Sequence, residues 1–116
     1  MKKIWSTIKN KRGLKRLYLS IIPTIREIAR KSGYAIGVHG SLTRDLDLIA
    51  VPWIEDCVEP ETLAHRIEMA ICKYPHENEY HYKNITNNVT KKPHQRMTFA
   101  IYIGVYAYID LSVIKT

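Results

Sequence analysis

The chain has 116 residues, 46% of them hydrophobic and 25% charged, a length that supports one hydrophobic core and a composition that excludes wholesale disorder. With 18 Lys and Arg against 11 Asp and Glu the formal net charge is +7, which favours phosphate-bearing partners such as nucleotides or nucleic acid. The opening MKKIWSTIKNKRGLK never reaches a sustained apolar run, so neither a signal peptide nor a membrane span is expected, and Cys57 and Cys72, without ligand-like spacing, fit a reducing, cytoplasmic setting.

Residues 1–13 read as a basic amino-terminal segment of a single domain spanning 1–116. From Leu14 to Lys31 apolar residues recur at three- and four-residue steps, among them Leu14, Leu17, Tyr18, Ile21, Ile25 and Ala29, the period of an amphipathic helix. Pro23 is expected to kink or split it near Ile22, because proline removes a backbone donor and crowds the preceding turn. Ser32-Gly33 closes the helix.

Tyr34 to His39 reads as a short strand, Gly40-Ser41-Leu42-Thr43 as a turn, and Asp45 to Val51 as a second strand paired with the first in a hairpin. Trp53, after Pro52, is expected to pack over the strand end, near enough to the acids to wall a pocket. Pro60 to Lys73 reads as a second helix with Leu63, Ala64, Ile67, Ala70 and Ile71 on its apolar face. Tyr74 to Pro93 is polar and reads as a loop with one short strand at Tyr80 to Ile85. The runs RMTFAIYI and YAYIDLSVI, joined around Gly104-Val105, read as a second hairpin or one long bent strand. The sum is an α+β domain, a small mixed or mainly antiparallel sheet covered by two helices on one face.

The chemistry concentrates in VHGSLTRDLDLIAV. On a strand Asp45 and Asp47 share one face and Leu46 and Leu48 the other. Two adjacent carboxylates repel, so the pair asks for a cation, and an oxygen-only donor set suits magnesium. In the last run Tyr106, Tyr108, Asp110 and Ser112 share a face. An aspartate in a strand built for burial needs compensation: Asp110 either joins Asp45 and Asp47 around metal or pairs with Arg96 or Arg44. His39 precedes Gly40 and has two readings, approach to a bound phosphate or a structural hydrogen-bonding residue of the strand end. His76, His81 and His94 lack a zinc spacing. Tyr80, Tyr82, Tyr102, Tyr106 and Tyr108, with the basic stretch from Lys91 to Arg96, would suit stacking on single-stranded nucleic acid or merely an exposed strand face.

A helix, a strand ending in Gly40-Ser41, a strand bearing Asp45-x-Asp47, a helix and a later strand bearing Asp110 together resemble the DNA polymerase beta-like nucleotidyltransferase superfamily, especially its minimal members. The chain is also similar to small phage-encoded proteins of this type, which would put it in the host cytoplasm. The resemblance covers about two thirds of the chain and implies a nucleotidyltransferase-like fold and magnesium- or manganese-dependent transfer of a nucleoside monophosphate. By position it implies that Asp45, Asp47 and Asp110 bind metal and act in catalysis. Gly40, Ser41 and Arg44 would bind the nucleoside triphosphate, with Arg96, Lys91 or Lys92 covering further charge. Nucleic acid is a second expected partner. The alternative is a noncatalytic protein that uses the same scaffold to bind nucleic acid or a host factor. Only Leu42, Thr43 and Arg44 separate Ser41 from Asp45, where the family usually places a short helix.

Overall fold

The computed structural model describes residues 11–71, 90–92, 96–103 and 107–114. The order is α1 (Lys11–Lys31), β1 (Tyr34–His39), β2 (Leu46–Pro52), α2 (Pro60–Ile71), β3 (Thr90–Lys92), β4 (Arg96–Tyr102) and β5 (Tyr108–Ile114). The expected strand at Tyr80 to Ile85, the histidines at 76, 81 and 94, Tyr80, Tyr82 and Tyr106, and the Gly104-Val105 link lie outside the described residues.

The strands form one sheet in the order β1-β2-β5-β4-β3. β1 and β2 pair antiparallel as the expected hairpin, and β4 pairs antiparallel with β5 and with β3. β2 and β5 run parallel, so the sheet is mixed. Alternation then sorts the side chains. Leu46, Leu48, Ala50, Met97, Phe99, Ile101, Ile109, Leu111 and Val113 are buried with the apolar sides of α1 and α2. The opposite face holds Asp47, Ile49, Tyr108, Asp110, Ser112, Thr98 and Ala100, half-buried, beside the exposed His39, Gly37 and Ala35. Both helices among the described residues therefore lie on one face of the α+β fold.

α1 begins at Lys11, three residues before the expected start. Its first turn is basic, good helix-forming residues around a tolerated Gly13. Nor does Pro23 split it, for α1 runs through to Lys31. Pro23 is exposed, and the carbonyl deprived of its amide belongs to Leu19, itself on the solvent side, where solvent is free to replace the lost bond. The helix ends as expected: Ser32 N donates to Ile28 O and Gly33 N to Arg30 O, and Gly33 adopts φ +94 with Cys57 against its α-carbon. Trp53 N donates back to Gly33 O at 3.0 Å. At the sheet edge Arg26 Nη1 donates to Ile36 O at 2.9 Å.

Two expectations fail at the other end of the hairpin and in α2. Trp53 is 59% exposed and sits at the end of β2 away from the acids, about 20 Å along the chain direction from Asp47, so it walls no site near them. In α2 Ala70 is exposed and Glu68 takes the inward position. The residues that pack are Leu63, Ala64, Ile67, Glu68 and Ile71, a stripe rotated by one position toward the carboxyl. Neither Glu68 oxygen has a hydrogen-bond partner among the described residues. No helix is long and apolar enough to cross a membrane among the described residues.

Burial pushes the Glu68 carboxyl from the ordinary 4.5 up to about 7. The folded chain thus holds this proton over a range where the unfolded chain has released it. The associated stability is complete below the unfolded value, falls as pH rises toward about 7, and stays at the lower level above it, a difference on the order of 3 kcal/mol. Glu68→Gln should flatten that decline. Urea midpoints at about pH 5 and about pH 8 measure it, and a variant keeping the wild-type decline would assign the pH dependence elsewhere.

Candidate metal centre

β2 and β5 are adjacent and parallel, and their register sets Asp47 directly opposite Asp110. On the other flank His39 of β1 faces Asp47, and beyond Asp110 the small Ala100 of β4 follows. One row across the sheet therefore reads His39, Asp47, Asp110, Ala100, all on the face away from the helices. Asp45 does not belong to this row. β2 begins at Leu46, one residue later than expected, so Asp45 reaches the row from the connection with β1.

One carboxylate oxygen each from Asp45, Asp47 and Asp110 lies within 4.8 Å of the other two, and all three residues are half-buried. Of the two alternatives for Asp110, the cluster is the one formed. No ion pair from Arg44 or Arg96 to these acids occurs among the described residues. Arg96 shares the open face but lies at the far end of β4, opposite Ile114, with Nε buried and without a hydrogen-bond partner among the described residues. The Asp47 carboxyl is held above its ordinary range, first by burial, then by Asp45 and Asp110, with His39 opposing them. Such a group is relieved by a proton or by a cation. Three hard anionic oxygens converging from separate elements are a chemically suitable donor set for a divalent ion of the magnesium or calcium kind.

Tyrosines frame the cluster. Tyr108 O–H donates to Asp45 Oδ2 at 3.1 Å, fixing that carboxylate and leaving its second oxygen free of this bond. The Tyr102 ring lies beside Tyr108, centroids 5.4 Å apart and tilted by 33°. From the covered face the fully buried Tyr18 of α1 donates its hydroxyl to Arg44 O, with Tyr108 O at 3.4 Å. Tyr18 thereby ties the helix to the residue preceding Asp45. Burial, reinforced by Asp45 and Asp47, pushes the Tyr18 phenol up to about 12. Burial and the bond to Asp45 push Tyr108 to about 12 as well. Both phenols stay protonated and remain donors at neutral pH.

The connection that carries Gly40, Ser41 and Arg44 is a compact turn. Leu42 is turned inward and buried with φ 62, a left-handed conformation that a leucine adopts only under constraint. Ser41 Oγ lies 2.6 Å from Thr43 Oγ1 and accepts from Thr43 N at 3.4 Å. Arg44 is exposed. Gly40 has φ +87, and a β-carbon there would stand 2.8 Å from Asp47 Oδ2. Two of the residues that matter here, Tyr18 and Tyr108, were not singled out by sequence as partners of the acids. Tyr18 sits in the apolar stripe of a helix and gives no sign of what its hydroxyl reaches. The Tyr108 position two residues before Asp110 on one strand face was a usable signal.

Gly40→Ala should destabilise the fold by about 1–2 kcal/mol through the left-handed backbone alone, and should displace Asp47. Gly37→Ala is the matched control, since its β-carbon would find only Ile49 O at 3.9 Å. Urea denaturation of the two variants checks this, and equal stability for Gly40→Ala and wild type would remove the constraint at Gly40. In comparisons with protein-family models, curated proteins and solved structures, no match to the chain was found.

Proposed function

We propose that the chain is a magnesium-dependent nucleotidyltransferase of minimal size, manganese substituting, in which Asp45, Asp47 and Asp110 hold the metal and the donor substrate is a nucleoside triphosphate. The observation that carries the reading is the convergence of the three carboxylate oxygens within 4.8 Å, reached from a turn and two parallel strands. The order of elements and the resemblance to the polymerase beta-like superfamily supply the reaction class. When bound, magnesium would neutralise the triphosphate and polarise its α-phosphorus toward attack.

The chain's own residues have separate tasks. Asp47 and Asp110 face each other in register and bring ligand oxygens from two strands, while Tyr108 holds Asp45 by one oxygen. Asp110 accepts the proton of the attacking acceptor hydroxyl, and pyrophosphate leaves. Arg44, exposed next to Asp45, offers its guanidinium to the phosphates. Gly40 leaves open the space that a β-carbon would fill beside Asp47.

A second reading has one observation in its favour. The turn from Gly40 to Arg44 contains no helix, and the Ser41 hydroxyl is engaged with Thr43. A scaffold that binds a partner without transferring anything would need no phosphate cradle there.

Calorimetric titration with Mg2+ or Mn2+, with and without a nonhydrolysable nucleoside triphosphate, separates these readings. Wild type should bind metal and bind it more tightly with nucleotide, and Asp47→Asn should weaken it at least about tenfold, the consequence of losing an anionic ligand. Transfer of labelled nucleoside monophosphate should fall in the same variant. No metal binding under either condition would end the transferase reading.

A further inference from the structure

Among the described residues, acidic and basic side chains are unevenly distributed between the two ends of the fold. One pole contains the turn after α1 and the connection from β2 to α2, joined by Trp53 N to Gly33 O and Val58 N to Ser32 O, each 3.0 Å. Glu55, Asp56, Glu59 and Glu61 gather there, and nearby Glu27 pairs with Arg30 at 2.7 Å and Lys31 at 3.7 Å. The opposite pole holds the acid cluster. It also holds the beginning of α1, because Tyr18 is bonded to Arg44 O and the preceding helix turns extend past it, Arg12 about 9 Å further along the axis.

Arg12, Lys15 and Arg16 are exposed on these turns, and Arg44 brings the same charge to the border of the cluster. None of the four has an ion-pair partner among the described residues. A solvated helix face ordinarily interleaves acids three or four residues away, yet α1 has no acidic residue before Glu27 and none in its first turn. Cations there also oppose the helix dipole, which favours negative charge at this end. A sequence that concentrates unpaired cations against the dipole, beside a site suited to phosphate chemistry, presents a surface for a polyanion.

We propose that the first turns of α1, with Arg12, Lys15 and Arg16, bind the phosphate backbone of a single nucleic-acid strand and lead it to the acid cluster, which makes nucleic acid the acceptor class if the transferase reading holds. A lipid surface fits less well. The apolar side of α1, including Leu14, Leu17, Tyr18, Ile21 and Ile25, is buried in the core, and a membrane-bound amphipathic helix would need it free. A single strand fits better than a duplex because the half-buried Tyr102 and Tyr108 rings at the acid cluster offer unpaired bases an aromatic surface.

The test is fluorescence anisotropy of labelled single-stranded DNA and RNA of about twenty nucleotides, titrated with the full chain over a salt series. Wild type should bind with salt-dependent affinity. The triple variant Arg12→Gln, Lys15→Gln, Arg16→Gln should bind at least about tenfold more weakly, with a log–log salt slope shallower by about 2. At the other pole, Arg30→Gln with Lys31→Gln should stay within about twofold of wild type. Binding should persist in EDTA, so the strand surface and the metal centre can fail independently. Circular dichroism checks the helix, and Arg12→Gln and Lys15→Gln singly give the same reading in smaller steps if the triple variant loses it. No binding by wild type at low salt would overturn the proposal. So would a triple variant that binds like wild type, an equal loss from the Arg30 and Lys31 pair, or capture by phosphatidylserine vesicles that the oligonucleotide cannot displace.

Discussion

The parallel pairing of β2 with β5 places two carboxylates side by side, Asp47 against Asp110, an arrangement that repels itself. It persists because the other side of the same residues is the centre of the core. Leu46, Leu48, Ile109 and Leu111 are at most 1% exposed, and moving either strand by one residue would carry its own two apolar side chains to the open face and its aspartate inward. Apolar burial, at roughly 1.5–3 kcal/mol for each large side chain, fixes a register that electrostatics alone would reject. The unfavourable energy is concentrated on one half-buried row, where a cation relieves it.

The tyrosines connect that row to the helix layer. Tyr18 reaches through the sheet connection to Arg44 O, and Tyr108 turns back to Asp45. The carboxylate that does not belong to a regular strand is thus the one that a tyrosine hydroxyl holds, while a second tyrosine holds the carbonyl of the residue before it. The same Tyr18 contact fixes where the first turns of α1 project. One buried phenol therefore determines both the shape of the acid cluster and the placement of basic charge at its side.

Much of this was legible in the residues. The hairpin, the cap at Gly33, the strand faces of β4 and β5 and the three aspartates follow from periodicity, turn chemistry and the awkwardness of acids in apolar strands. The pairing of β2 with β5 does not, because strands distant in sequence leave no local mark of their register; without the family pattern Asp110 had equal claims on metal and on Arg96. Proline rules overstated the effect of Pro23, since they are silent on whether the abandoned carbonyl faces water. Hydrophobicity assigned Ala70 inward, whereas the packed stripe of α2 takes in Glu68 and leaves Ala70 exposed. Trp53 was drawn toward the acids by nearness in sequence, although an extended strand carries it to the opposite pole.

β1 is the outer strand of the sheet. Gly33 accepts from Trp53, so by alternation Tyr34, Ile36 and Val38 turn their backbone groups outward rather than toward β2. A row of this kind is a template on which a second chain could add a strand, the usual beginning of uncontrolled assembly. Arg26 reaches from α1 to Ile36 O, occupying the middle acceptor of that row and setting a positive charge over it. A helix side chain thus guards the boundary of the sheet, and the small, exposed Ala35 and Gly37 can line that boundary without recruiting a neighbour.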